Sequence, residues 1–99
     1  MNNKKIDFEL DFIGNLYRLS FFLATNNQND KPILMLKNMQ KNISQMKNKQ
    51  NINEFNTLFS NIQNSLTNLK TTRDRQLLAQ KCLDGYNLQI TRYKRAGFA

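Results

Sequence analysis

Apolar residues recur along the chain at alternating intervals of three and four, which is the spacing of one face of an α-helix. Three such seams run through the sequence before its last quarter, and polar residues separate them. The first seam contains Phe12, Leu16, Leu19 and Leu23, the second Leu36, Met39, Ile43 and Met46, and the third Phe55, Phe59, Ile62, Leu66 and Leu69. The pattern predicts long helices over about residues 6–25, 30–48 and from residue 51 onward.

The third seam changes phase after Leu69. Continuing its spacing would place Arg73 and Gln76 in the core, whereas a new seam begins at Ala79 and continues through Leu83, Tyr86, Ile90 and Tyr93. The third helix therefore either kinks near residues 70–74 or ends there, and a fourth helix starts at Thr72. Short connections make neighbouring helices antiparallel, so we expect an all-α antiparallel bundle of three long helices, or of four if the third is broken.

Polar residues between the seams fit the ends of these helices. Asp30 is a favourable N-cap, with Pro32 in the turn that follows. Asn51 fits the N-cap of the third helix, and Glu54 follows three residues later, as in a capping box.

The start of the first segment also matches another pattern. Apolar residues from Ile6 to Phe12 alternate with Asp7, Glu9 and Asp11, as in a half-buried strand. On a strand the three carboxylates would share one face and could hold a hard cation, whereas on a helix they fan out. We expect a helix, because a lone strand has no partner here and acidic residues are favourable in a first helical turn.

Charge narrows the kind of partner. The 99 residues are expected to form one domain, residues 1–99, with a net charge of +8. Such a charge favours an acidic partner, which is a nucleic acid, an anionic membrane face or an acidic protein. No acidic residue lies between Lys31 and Asn53. On that stretch, Lys37 and Lys41 lie opposite the apolar seam and Lys47 lies near its end. Arg92, Lys94 and Arg95 form a second basic group.

The sequence offers little to catalysis or metal binding. It contains no histidine, which removes the usual general base and the commonest metal ligand. Cys82 is the single cysteine, so it can form neither an intramolecular disulfide nor a zinc site alone, and we interpret it as a small core residue. We therefore expect no enzyme activity, cofactor or metal.

The tripeptide Leu16-Tyr17-Arg18, in the first predicted helix, resembles the motif of the LYR-motif proteins. These are small basic three-helix proteins of mitochondria that act as assembly factors or accessory subunits. The resemblance implies an acyl carrier protein, which is acidic, as the partner; its acyl chain can enter the bundle of family members. By the same resemblance Arg18 would contact the carrier and Tyr17 would help to place it.

Two bacterial families also resemble parts of the helical pattern. A late helix of the primosomal helicase-loading protein is similar to Leu83-Asp84-Gly85-Tyr86 followed by Ile90 and Arg92. The flagellar export chaperone is similar around Leu77-Leu78, with a later Tyr93 and Gly97. These resemblances imply replication and secretion as alternative settings.

We therefore expect a non-enzymatic helical adaptor or accessory subunit of a larger complex, in the cytoplasm or the mitochondrial matrix. No apolar run has the length of a membrane span. A small nucleic-acid-binding accessory protein that uses the basic residues, and an export chaperone, are the alternatives. The predicted partner-binding residues are Tyr17, Arg18, Lys37, Lys41, Lys47, Arg92, Lys94 and Arg95.

Overall fold

The computed structural model describes residues 7–25, 28–46 and 49–98, and these are helical apart from short connections. Four α-helices follow one another: α1 (Phe8–Thr25), α2 (Asp30–Gln45), α3 (Lys49–Thr67) and α4 (Thr72–Tyr93), with a π-helical turn over Lys94–Phe98. The predicted all-α class is confirmed. The alternating segment at residues 8–12 is the start of α1 and not a strand.

The first three seams form the hydrophobic core. Their residues are buried together, apart from the half-buried Ile43 and Leu69, and Leu78, Ala79 and Cys82 of α4 complete the cluster. The ring of Phe12 in α1 lies 4.8 Å from that of Phe55 in α3, centroid to centroid, so these two helices meet across the centre. None of the helices in the described part of the chain has the length and apolarity that crossing a membrane requires.

Two contacts between α1 and α2 show that these neighbouring helices are antiparallel. Asn15 meets Asn42, and further along α1 Phe22 meets Lys31 near the start of α2. Helix α1 packs closely on both α2 and α4, whereas α3 packs less closely on α2 and α4. A groove therefore opens between α3 and α4.

The third predicted helix is divided into α3 and α4, so the count of three long helices is corrected to four. The hydroxyl of Thr71 accepts a hydrogen bond from the Asp74 backbone N–H at 3.0 Å, and the Asp74 carboxylate accepts one from the Thr71 N–H at 3.2 Å. This reciprocal capping box starts α4 at Thr72, which is the alternative the phase change allowed.

After Ala79, the predicted apolar seam of α4 does not follow the face of the helix that is buried, so this prediction is wrong. The buried residues are Arg75, Leu78, Ala79, Cys82 and Gln89, whereas Leu83, Tyr86, Ile90 and Tyr93 are only half-buried. Two polar side chains enter the buried face because each finds a partner on another segment. Arg75 Nη2 donates to the Gln28 carbonyl at 3.0 Å, and Gln89 donates to the carboxylate of Glu54.

Two predicted caps are also corrected. Asn29, not Asp30, occupies the N-cap position of α2, and it makes no side-chain capping bond; its side chain accepts a hydrogen bond from Arg75 instead. Helix α3 begins at Lys49, so Asn51 lies inside the helix. The Glu54 carboxylate bonds to α4, and this tertiary contact replaces the capping box.

Candidate functional site

Arg18 is fixed on the surface of α1 by a chain of hydrogen bonds that crosses to α2. Its Nη1 donates to Oδ1 of Asn15 at 2.9 Å, and Nδ2 of Asn15 donates to Oδ1 of Asn42 at 2.9 Å. Both asparagines are buried, whereas Arg18 is exposed. A guanidinium carries several N–H donors, and Asn15 uses only one of them in this chain. The buried amide pair thus orients a cation that keeps donors for another acceptor.

Gly14 provides the space in which this guanidinium lies. A Cβ built at Gly14 would be 3.3 Å from Nη1 of Arg18, which is closer than ordinary van der Waals contact. The side chain of Arg18 therefore folds back along α1 toward the preceding turn. The position of the cation depends on a small residue beneath it and an amide beside it.

Lys41 lies on the same side of the α1–α2 pair as Arg18. At about 100° per residue, Arg18 is turned about 60° from Asn15, and Lys41 about 100° from Asn42, in both cases away from the buried seam. Arg18 follows Asn15 on α1, and Lys41 precedes Asn42 on α2. Since the helices are antiparallel, Arg18 and Lys41 are displaced from the Asn15–Asn42 pair in the same direction along the bundle. Lys37 precedes Lys41 by one turn, and both lysines are exposed.

Lys31 extends this surface, and the sequence patterns did not single it out. Its Nζ lies 5.5 Å from the centroid of the Phe22 ring, over α1, which is a cation–π distance. We call the surface formed by Arg18, Lys31, Lys37 and Lys41 the α1–α2 basic face. Asp11 and Asp30 are the exposed carboxylates on the same two helices, so the face has a surplus of positive charge.

Tyr17 lies on the other side of α1, next to α4. Its ring packs on that of Tyr86 with centroids 5.1 Å apart and the planes tilted by 53°, and the residue remains 51% exposed. Leu16 is fully buried in the core. The tripeptide is thus divided among the core, the α1–α4 side and the α1–α2 basic face, and only Arg18 belongs to that face.

The second predicted basic group lies at the end of the bundle where α4 stops, and acidic residues accompany it. Arg92 forms an ion pair with Glu54, which also accepts the hydrogen bond from Gln89. The hydrogen bond from Gln89 has the largest effect and lowers the pKa of the Glu54 carboxyl. Burial opposes it, and the hydrogen bond and charge of Arg92 lower the pKa further. Lys94 and Arg95 follow in the π-helical turn and are exposed.

A tyrosine at this end pairs with an acid of α1. The hydroxyl of Tyr93 donates to the carboxylate of Asp7, and this bond, with some burial and the negative charges nearby, raises the pKa of Tyr93 to about 12. Asp7 also accepts a hydrogen bond from the Leu10 N–H at 3.1 Å, as an N-cap of α1 does. Asp7 therefore has structural partners on two helices.

The predicted residues consequently fall into separate groups. Arg18, Lys37 and Lys41 share the α1–α2 basic face, Tyr17 borders α4, and Arg92, Lys94 and Arg95 lie at the end of the bundle. Lys47 is outside the described residues. Asn15, Asn42 and Gly14, which position Arg18, were missed; asparagines just beside the apolar seams of two consecutive helices were the signal for a buried polar pair.

Cys82 belongs to the hydrophobic core, as the sequence predicted. Cys82 is fully buried, and desolvation raises the pKa of its thiol to about 12, so the reactive thiolate is scarce at neutral pH. Among the residues that the structure describes, no three side chains of the types that ligate metals come together. Comparisons with family models, curated proteins and solved structures find no match for this chain.

Proposed function

We propose that this protein is a non-enzymatic helical adaptor that docks an acidic protein surface on its α1–α2 basic face, with Arg18 as the central contact. The observation that carries this proposal is the oriented guanidinium of Arg18, held through Asn15 and Asn42. A cation that is already ordered loses less conformational entropy when it binds a carboxylate, and it offers a planar fork that suits one.

The lysines add charge around this central contact. Lys31, Lys37 and Lys41 lie on α2 beside Arg18, on a helix whose exposed acid is Asp30 at its first position. Such a surface attracts acidic partners over a distance of about 8–10 Å at physiological salt. An acyl carrier protein, the partner implied by the resemblance at Leu16-Tyr17-Arg18, has the required acidity and is the probe that we would use.

Isothermal titration of the purified chain with a purified acyl carrier protein tests the proposal. Arg18→Gln is expected to weaken binding by roughly 10–150-fold, because a hydrogen bond to a charged group contributes about 1.5–3 kcal/mol. Arg92→Gln is the matched control. It removes the same charge from an arginine that already pairs with Glu54, so we expect less than about a threefold change.

A nucleic acid is the competing partner, because Lys94 and Arg95 are exposed near Arg92. Titration of a DNA duplex over a series of salt concentrations distinguishes the two. Phosphate contacts would give a logarithmic salt slope of about −0.9 per contact, and variants of Arg92, Lys94 and Arg95 would reduce it. Tight duplex binding together with no binding of the acidic probe would overturn the adaptor proposal.

A further inference from the structure

The outer side of α4 carries a short stripe of residues whose spacing is the same in both directions. Leu77, Lys81, Asp84 and Leu88 are spaced by four, three and four residues, so they lie within a narrow sector of the helix. Leu77 is 53% exposed and Leu88 is 50% exposed, and both charged residues are exposed as well. Leucines thus flank a lysine and an aspartate on one solvent-facing line.

We propose that this α4 stripe binds the same stripe of a second copy of the chain, with the two α4 helices antiparallel. Leu77 and Lys81 precede the midpoint of the stripe, between Cys82 and Leu83, by the same intervals as Leu88 and Asp84 follow it. A two-fold contact pairs residue i with j and j with i. One register therefore sets Leu77 against the partner's Leu88, and Lys81 against the partner's Asp84, on both sides of the axis.

The side of α3 next to the stripe is suited to burial in a protein interface. A groove of about 580 Å³ separates the helices, and Leu58, Asn61 and Ser65 of α3 line it together with Lys81, Asp84 and Leu88. Residues 55–67, which make up most of α3, contain no charged side chain. The centres of protein interfaces are depleted of charged residues, because their desolvation is costly.

Charge complementarity favours a second copy as the occupant, because the lysine and the aspartate of one stripe can each pair with the opposite charge on the other. Each chain carries a net charge of +8, so two copies repel each other wherever their basic faces meet. The stripe is balanced, with one lysine and one aspartate, and the neighbouring α3 wall is neutral. Nε2 of Gln80 donates to Oδ1 of Asp84 at 2.9 Å, which holds this carboxylate of the stripe in place.

Sedimentation equilibrium over a series of concentrations tests this proposal with the full chain. We expect a species of twice the 11.7 kDa mass of one chain at high concentration. Lys81→Glu and Asp84→Lys should each weaken the dimer by about tenfold or more, since each sets like charges against each other twice. Circular dichroism checks that both variants stay helical.

Mixing the two variants is the decisive experiment. In an equimolar mixture of K81E and D84K, the introduced glutamate of one chain faces the introduced lysine of the other, and the unchanged Asp84 faces the unchanged Lys81. A mixed dimer should therefore form at close to the wild-type concentration. Lys37→Glu, on α2, alters the net charge as K81E does and should leave the dimer unchanged.

Three results would overturn the proposal: a monomer at every accessible concentration, a dimer that neither charge reversal weakens, or a mixture that stays monomeric. The outcome is independent of the adaptor function. Arg18→Gln should leave the sedimenting mass unchanged, and a purely monomeric chain could still bind an acidic protein.

Discussion

The two basic regions of the molecule differ in what accompanies their arginines. On the α1–α2 basic face, Arg18 bonds to a neutral amide, so the face keeps its charge. At the end of the bundle, Arg92 pairs with Glu54, and the neighbouring Tyr93 bonds to Asp7. Similar clusters in the sequence thus present different charges to a partner.

Orientation and neutralisation are therefore separate properties of a surface cation. An amide orients a guanidinium without cancelling its charge, whereas a carboxylate orients the guanidinium and also cancels its charge. Substitutions can alter one of these properties at a time.

Asn42→Leu should have the largest effect on the α1–α2 basic face. It leaves the buried Asn15 amide without its bond to α2, which costs about 1–3 kcal/mol of the free energy of unfolding. Urea denaturation measures this loss. The double variant N15L/N42L should recover much of the stability, because both partners become apolar, while Arg18 loses its anchor and the acidic probe binds more weakly. A single variant as stable as the wild type would contradict this account.

Gly14→Ala should separate stability from binding at the same face. Alanine favours a helix over glycine by about 0.5–1 kcal/mol, and the exposed guanidinium of Arg18 can yield to the new methyl group. We therefore expect a higher urea midpoint together with weaker binding of the acidic probe. A lower midpoint would show that Arg18 cannot move.

Glu54→Gln tests the ion pair between Arg92 and Glu54 through the pH dependence of the free energy of unfolding. The folded-state pKa of Glu54 is lowered, so its ionised form stabilises the fold above the unfolded-state pKa, and this contribution is lost as pH falls through the folded-state value. An exposed ion pair contributes about 0.2–1 kcal/mol. Urea midpoints should differ slightly between variant and wild type at about pH 7 and converge once the pH is below the folded-state pKa of Glu54. A difference that persists in acid would contradict the assignment.

Asp7→Asn should alter the ionisation of Tyr93 and leave binding of the acidic probe unchanged. The raised pKa of Tyr93 means that its contribution to stability is complete below the unfolded value of about 10 and is lost as pH rises through about 12. Removing the carboxylate should return one of the three tyrosines toward the ordinary range. Ultraviolet absorbance of tyrosinate during alkaline titration measures this shift, and Tyr93→Phe identifies the residue.

Much of the fold follows from spacing along the chain. The seams from Phe12 to Leu69 predicted the buried faces of α1, α2 and α3, because a repeat of three and four residues can be buried only on one side of a helix. The phase change after Leu69 located the break before α4. The seam of α4 was misplaced because Arg75 and Gln89 are buried, and their partners, Gln28, Asn29 and Glu54, are distant in sequence.

The candidate site was predicted less completely. Arg18, Lys37 and Lys41 were chosen from charge and from the tripeptide, but nothing local indicated that they share a face. That proximity depends on the register between α1 and α2, which the Asn15–Asn42 pair marks. Arg92 was expected to be available to a partner, whereas a glutamate 38 residues earlier in the chain neutralises it.

The helical class, the core of the first three helices, the position of the last break and the excess of positive charge can all be read along the chain. These follow from short-range periodicity and from composition, which need no knowledge of neighbouring helices. Which cations remain available to a partner depends on the packing of the helices, because the electrostatics of a side chain depends on groups that folding brings within a few ångströms of it. This packing also decided that Arg18 would be fixed by an amide and Arg92 by a carboxylate.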